Sequence, residues 1–197
     1  MKLWKSISVA AFYAVSLNIN AATILQDDFS ITRQILVFSD LGQSFTAEDE
    51  NILSIGFYVE DINQNSSDSF DLSLQLFEGV GFVGSSLGAV DITLEDGFNG
   101  FADFDFSFVT LNVGSVYSAQ ISSTSARGGL QSNQHSFPSG APINGNDYIG
   151  GDYIMNGEVD VISDARFRVT AVPLPAAVWL LGSGLIGLAG IARRKKV

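Results

Sequence analysis

An antiparallel β-sandwich is the fold class predicted by the middle of this 197-residue chain, and three observations carry the prediction. Apolar residues recur at every second position in run after run. Gly, Asp, Asn and Ser cluster between the runs, and no run of adequate length shows helical spacing. The sandwich is expected over residues 23–171, with jelly-roll-like or other Greek-key connections. A signal peptide over residues 1–22 precedes it, and a tail over residues 172–197 with one transmembrane helix follows it.

In chain order, Lys2 and Lys5 make a positive start, Ile7 to Ile19 an apolar run, and Ala21-Ala22 the small residues at which a signal peptidase cuts. The residue three before the cut is Ile19 or Asn20, depending on the bond, so the exact bond stays open. A retained anchor is the alternative, but a spanning helix prefers roughly 20 apolar residues and this run is shorter. Either way the segment from Thr23 to Val172 is expected to be exported.

That segment of about 150 residues suits one domain with one core. It holds all 21 carboxylates against four arginines, Arg33, Arg127, Arg166 and Arg168, a formal charge of −17. Such a surface repels phosphates and excludes nucleic acid as a partner. There is no cysteine, which rules out disulfides, thiol catalysis and Cys-ligated metals.

The strands follow from the alternation. Leu53, Ile55, Phe57 and Val59 alternate with Ser54, Gly56, Tyr58 and Glu60; Leu72, Leu74 and Leu76 with Ser73 and Gln75; Val90, Ile92 and Leu94 with Asp91 and Thr93. Phe104, Phe106 and Phe108 alternate with Asp103, Asp105 and Ser107, after which the apolar set slips to Val109, Leu111 and Val113, so a kink is expected near Val109. Tyr117, Ala119 and Ile121 define another strand, and Asp160 to Val172 a last one. Asn156-Gly157 signals a type I′ hairpin turn, since both residues tolerate positive φ. Asp61 to Ser69, Gly79 to Gly88, Glu95 to Gly100 and the long Ser122 to Asp147 are expected to be loops. Eight or nine strands result, with Leu53, Ile55, Phe57, Leu72, Leu74, Leu76, Phe104, Phe106 and Phe167 in one core.

At the end of the chain, residues 176–192 carry no charge and would span roughly 26 Å as a helix, just enough for a bilayer. Pro175 suits the first helical position, and Arg193, Arg194, Lys195 and Lys196 would hold the far end in the cytoplasm. The order Val172-Pro173-Leu174-Pro175, a short apolar helix with Trp179 and Gly182-Ser183-Gly184, then a basic tip, resembles the PEP-CTERM sorting signal of Gram-negative bacteria in its Val-Pro-Leu-Pro variant. The resemblance covers the last 26 residues and departs from the naming motif at Leu174, where that motif has Glu. It implies recognition in the inner membrane, processing by an exosortase near Val172 to Pro175, and company with exopolysaccharide or biofilm at the cell envelope, surface or extracellular matrix. A plain tail anchor is the alternative.

The body has a second resemblance. Gln43-Ser-Phe-Thr, Leu53-Ser-Ile-Gly-Phe-Tyr-Val, Phe104-Asp-Phe-Ser, Val109-Thr-Leu-Asn-Val-Gly-Ser-Val-Tyr, Tyr148-Ile-Gly-Gly-Asp-Tyr and Arg166-Phe-Arg-Val resemble β-sandwich modules of anchored bacterial proteins, which share their architecture with carbohydrate-binding domains.

Site chemistry is sparse. His135 is the only histidine and no nucleophile-elbow motif accompanies it, so no catalytic residue is assigned. Calcium is the ion that loop carboxylates would suit, with Asp61, Asp68, Asp147 and Asp152 as candidates, although none matches an EF-hand and a solvated acidic surface is the simpler reading. For sugars, aromatic rings beside amides are needed. Asn133, Gln134, His135, Tyr148 and Tyr153 make a candidate ligand loop, with Tyr58 and Phe77 as further rings. The chain therefore reads as a structural or adhesive envelope protein associated with polysaccharide, without a required cofactor, against the alternative of a secreted hydrolase acting on glycosides.

Overall fold

The computed structural model describes residues 23–63, 67–133 and 148–172, all within the compact unit Ala21–Val172. Thirteen strands are present among them: β1 Thr23–Gln26, β2 Ile31–Gln34, β3 Leu41–Thr46, β4 Ile52–Asp61, β5 Phe70–Glu78, β6 Ser86–Leu94, β7 Asn99–Asp105, β8 Val116–Ser122, β9 Gly128–Asn133, β10 Tyr153–Met155, β11 Glu158–Asp160, β12 Asp164–Ala165 and β13 Phe167–Ala171. The described residues contain no α-helix, so none long and apolar enough to cross a membrane. The expected helix over 176–192, the signal peptide with Ala21 and Ala22, the residues Gln134, His135 and Asp147, and the tail from Pro173 through Lys196 lie outside the described residues.

The strands form two antiparallel sheets. One runs β1-β13-β4-β9-β12, with β7 on β4 and β2 on β9; the other runs β11-β10-β3-β8-β5-β6. Within them, β2-β9-β4-β7 and β3-β8-β5-β6 are two four-stranded sets. From β2 to β9 every connection except the β5–β6 hairpin crosses from one sheet to the other. One continuous core lies on the inner faces, with Phe45, Phe57, Phe104, Phe106, Phe167, Leu72, Leu74 and Leu76 fully enclosed. Removing each such side chain from water stabilises the fold by about 1.5–3 kcal/mol. Asn156 and Gly157 adopt φ of 55° and 77° and close the β10–β11 hairpin between Met155 and Glu158, as a type I′ turn requires.

Four expectations need correction, each for a local reason. Leu53 is 45% exposed, because the β4–β13 register shifts: Ser54 faces Thr170 while Ile52, not Leu53, faces Ala171. The extra residue is a bulge that turns Leu53 outward and buries Ile52 instead. Phe108 is 62% exposed, because β7 ends at Asp105 and the chain turns, with the Val109 N–H donating to the Phe106 carbonyl (2.9 Å) and the Ser107 N–H to Asp105 Oδ1 (2.9 Å). The slip expected near Val109 is this turn, after which Val109 and Leu111 are buried but Val113 is exposed. Val90 and Ile92 point inward yet are only half-buried, since β6 is an edge strand.

The fourth correction is the largest. The stretch Ser122 to Asp147 is not all loop: it contains β9, which pairs with β2, β4 and β12. Its sequence Gly-Gly-Leu-Gln-Ser-Asn has one apolar side chain and so no alternation to read. A Cβ on Gly129 would come within 2.6 Å of the Thr32 and Ile62 side chains, so glycine is what lets the strand fit there.

Candidate functional site

Strand alternation and register collect one set of polar and aromatic side chains on the outer face of the β4-containing sheet. Tyr58 faces Phe101, Gly56 faces Asp103 and Ser54 faces Asp105 across β4 and β7. On the other side of β4, Arg168 faces Gly56, and the Tyr58 N–H donates to the Arg166 carbonyl (2.9 Å). Arg166, at the bend between β12 and β13, and Arg168 on β13 reach the same face, where both guanidiniums lie against the Phe101 ring.

The contacts form a continuous row. The Arg166 guanidinium stacks on Tyr58 at 3.7 Å from the ring centroid and lies 5.1 Å from that of Phe29. Tyr58 meets Phe101 edge-on, centroids 5.3 Å apart and planes at 78°, and Arg168 covers Phe101 at 4.5 Å. Each guanidinium is also held by carboxylate or amide. Arg166 Nε donates to Asp27 Oδ1 (2.7 Å) and its Nη1 to Gln131 Oε1 (2.8 Å), while Gln131 Nε2 donates to Glu60 Oε2 (3.0 Å). Arg168 forms a two-pronged pair with Asp103, with Nε to Oδ1 at 2.8 Å, and this pairing holds its guanidinium still more firmly protonated. The pair spans the strand between its members because Gly56 has no side chain. A Cβ there would collide with the Asp103 carboxylate and approach Arg168 to 3.2 Å.

These residues are the ones that alternation alone did not single out, apart from Tyr58. The available signal was scarcity. Of the four arginines in the strongly acidic segment, two sit on this face, while Arg33 stacks on Phe38 (4.9 Å) and Arg127 is buried against Asp61.

Of the predicted ligand loop, the described residues Asn133, Tyr148 and Tyr153 are engaged by partners within the fold. Asn133 ends β9 opposite Asp164. Tyr148 packs edge-on against Phe167 (5.2 Å), its hydroxyl accepts from the Thr46 N–H (3.2 Å), and burial raises its pKa. Tyr153 is wholly enclosed, so no face of its ring meets a ligand. Phe77 is likewise buried, against Phe82. Beside these tyrosines runs an interior polar clamp: Gln43 Nε2 donates to Asp164 Oδ1 (2.9 Å), Gln43 Oε1 accepts from the Ala165 N–H (2.8 Å), and Asp164 Oδ2 accepts from the Tyr148 N–H (3.0 Å). It ties β3 in one sheet to β12 in the other.

Burial pushes the Tyr153 pKa up to about 12 from its ordinary value of 10.0. The folded protein keeps this phenol protonated where the unfolded chain would ionise, so its contribution to stability is complete below about pH 10 and is lost between there and about pH 12. Spectrophotometric titration of tyrosinate should show one group titrating late, together with unfolding. Tyr153→Phe should remove that group from the titration.

Of the calcium candidates, Asp61 has its carboxylate fully engaged. Asp61 Oδ1 accepts from the Asn63 N–H (3.0 Å) and Arg127 Nε (3.3 Å), and Oδ2 accepts from the Gly97 N–H (3.0 Å) and from Arg127 Nη2. A guanidinium thus occupies the place where a cation would sit, shared with the Asp96 carboxylate and the Asp68 carbonyl. Asp152 is held to β3, its carbonyl accepting from the Ser44 N–H (2.9 Å). Among the described residues, no three His, Asp or Glu side chains are grouped to hold a metal ion. No protein-family model matches the chain, and no curated protein matches it in sequence.

Proposed function

We propose that this is an exported envelope or extracellular-matrix protein, structural or adhesive in role, whose β-sandwich associates with polysaccharide. The strand order β2-β9-β4-β7 over β3-β8-β5-β6 is that of a jelly roll and supports the architecture expected from the sequence. The single observation carrying the binding role is the row Arg166, Tyr58, Phe101, Arg168 on an outer sheet face. Rings and held donor and acceptor groups on a rigid strand surface are the chemistry that grips a sugar chain. In this reading the body is a binding module and not a catalyst. Val172 to Pro175 and the basic residues Arg193 to Lys196 form an exosortase-type sorting tail after a signal peptide cleaved near Ala21-Ala22.

Two measurements test the reading. A polysaccharide array should retain the protein and lose it on Tyr58→Ala, while an unbiased hydrolase substrate panel stays negative; turnover of any glycoside would overturn the role. A chain ending at Ala171 should keep its β circular dichroism spectrum but disappear from the surface or matrix fraction. Unchanged localisation would place the sorting signal elsewhere.

A further inference from the structure

We infer that the outer face of the β4 sheet selects uncharged polysaccharide with adjacent hydroxyl pairs and turns away polymers bearing carboxylate or sulfate; the inference rests on the polysaccharide reading above. Free cationic charge is what an acidic polymer would need, and this face offers none. Arg166 is taken by Asp27 and Gln131, and Arg168 by both oxygens of Asp103. With Glu60 and Asp105 beside them, four carboxylates surround two guanidiniums in a segment whose formal charge is −17. An incoming anion would have to displace an internal carboxylate and approach against the field of the whole domain.

The same pairing suits neutral sugars. Asp103 takes two of the five N–H groups of Arg168, so further donors lie beside carboxylate oxygens, and the Asp103 side chain is 37% exposed. A donor and an acceptor held side by side complement two neighbouring hydroxyls, each of which both donates and accepts. Phe29, 52% exposed, supplies apolar surface for the C–H face of a ring, while Phe101 is half-buried and supports the Arg168 guanidinium that covers it. Both rings lie beside the Arg166 guanidinium, Phe29 at 5.1 Å and Phe101 at 5.7 Å, so the patch between them is short and one stretch of a sugar chain covers it.

The test uses the full chain in detergent, by affinity electrophoresis in neutral glucan and galactomannan and, separately, in alginate and chondroitin sulfate. Wild-type protein should be retarded by a neutral polymer, and retardation should persist at about 1 M salt, where the Debye length is about 3 Å. Asp103→Asn frees the Arg168 charge and removes an acceptor, so it should weaken neutral binding by about tenfold and gain salt-sensitive binding to alginate. Phe101→Leu, which keeps apolar bulk, should weaken neutral binding without any gain in alginate. Wild-type preference for alginate or chondroitin sulfate, abolished by salt, would overturn the inference while leaving polysaccharide association standing. Retardation by none of the four polymers would overturn both.

Discussion

Phe167→Ala should be the most damaging single truncation in the sandwich, costing about 3–5 kcal/mol in urea unfolding. Phe167 is fully enclosed on β13, which lies between β1 and β4, and faces Gln26 on one side and Phe57 on the other. Its ring meets Phe57 at 6.4 Å and Tyr148 edge-on at 5.2 Å, so the missing ring leaves a void bounded by one ring fixed on β4 and another fixed by hydrogen bonds to Thr46 and Asp164. A cavity that cannot collapse adds to the lost transfer energy. Phe108→Ala is the control: the same chemistry on a ring 62% exposed should cost less than about 1 kcal/mol. Equal losses for the two would contradict the placement of the core.

Asp61→Ala should lower the melting temperature by roughly 5–10 °C, because it strips the partner from an enclosed guanidinium. The Arg127 and Asp61 side chains are 7% and 0% exposed, and Arg127 also draws in Asp96 and the Asp68 carbonyl, so one residue ties the end of β4 to the segments before β5 and after β6. The Arg127 hydrogen bond, with those from Gly97 and Asn63, holds the Asp61 carboxyl below the usual carboxylate range against the opposing effect of burial. A depressed folded value means that this stabilisation is present above the unfolded pKa of about 4 and disappears as pH falls through the lower folded value. Wild type should therefore lose stability below about pH 4 more steeply than Asp61→Ala, and parallel acid profiles would refute the assignment.

How much was legible in the sequence depended on whether neighbours or the strand itself set burial. Strands that alternate cleanly, such as Leu72-Ser-Leu-Gln-Leu76, could be read directly, as could the Asn156-Gly157 turn, whose backbone preference is local. Leu53 and Phe108 were misplaced because a bulge and a turn break the period of two, and neither has a sequence marker as strong as glycine or proline. β9 was hidden because its place in the sheet depends on β2, β4 and β12 and not on its own side chains. The outer-face row combines residues more than one hundred positions apart, Tyr58 with Arg166, so only register could assemble it. Tyr148 and Tyr153 looked like exposed loop rings because polar residues flank them, yet the clamp through Gln43 and Asp164 draws that segment into the interior.

The β1–β13 pairing bears on how the domain would carry load. Thr23 faces Thr170 and Gln26 faces Phe167, so the first and last strands are antiparallel neighbours whose free ends leave from the same end of the ladder. Tension applied between Thr23 and Ala171 would act along the hydrogen bonds and not along the strands, opening them one at a time from that end like a zip. Force entering through the outer face of β4 and β7 would instead spread over bonds that must break together. A domain so built peels easily when pulled by its two ends, and grips best when one end is tethered and the load arrives through its broad side.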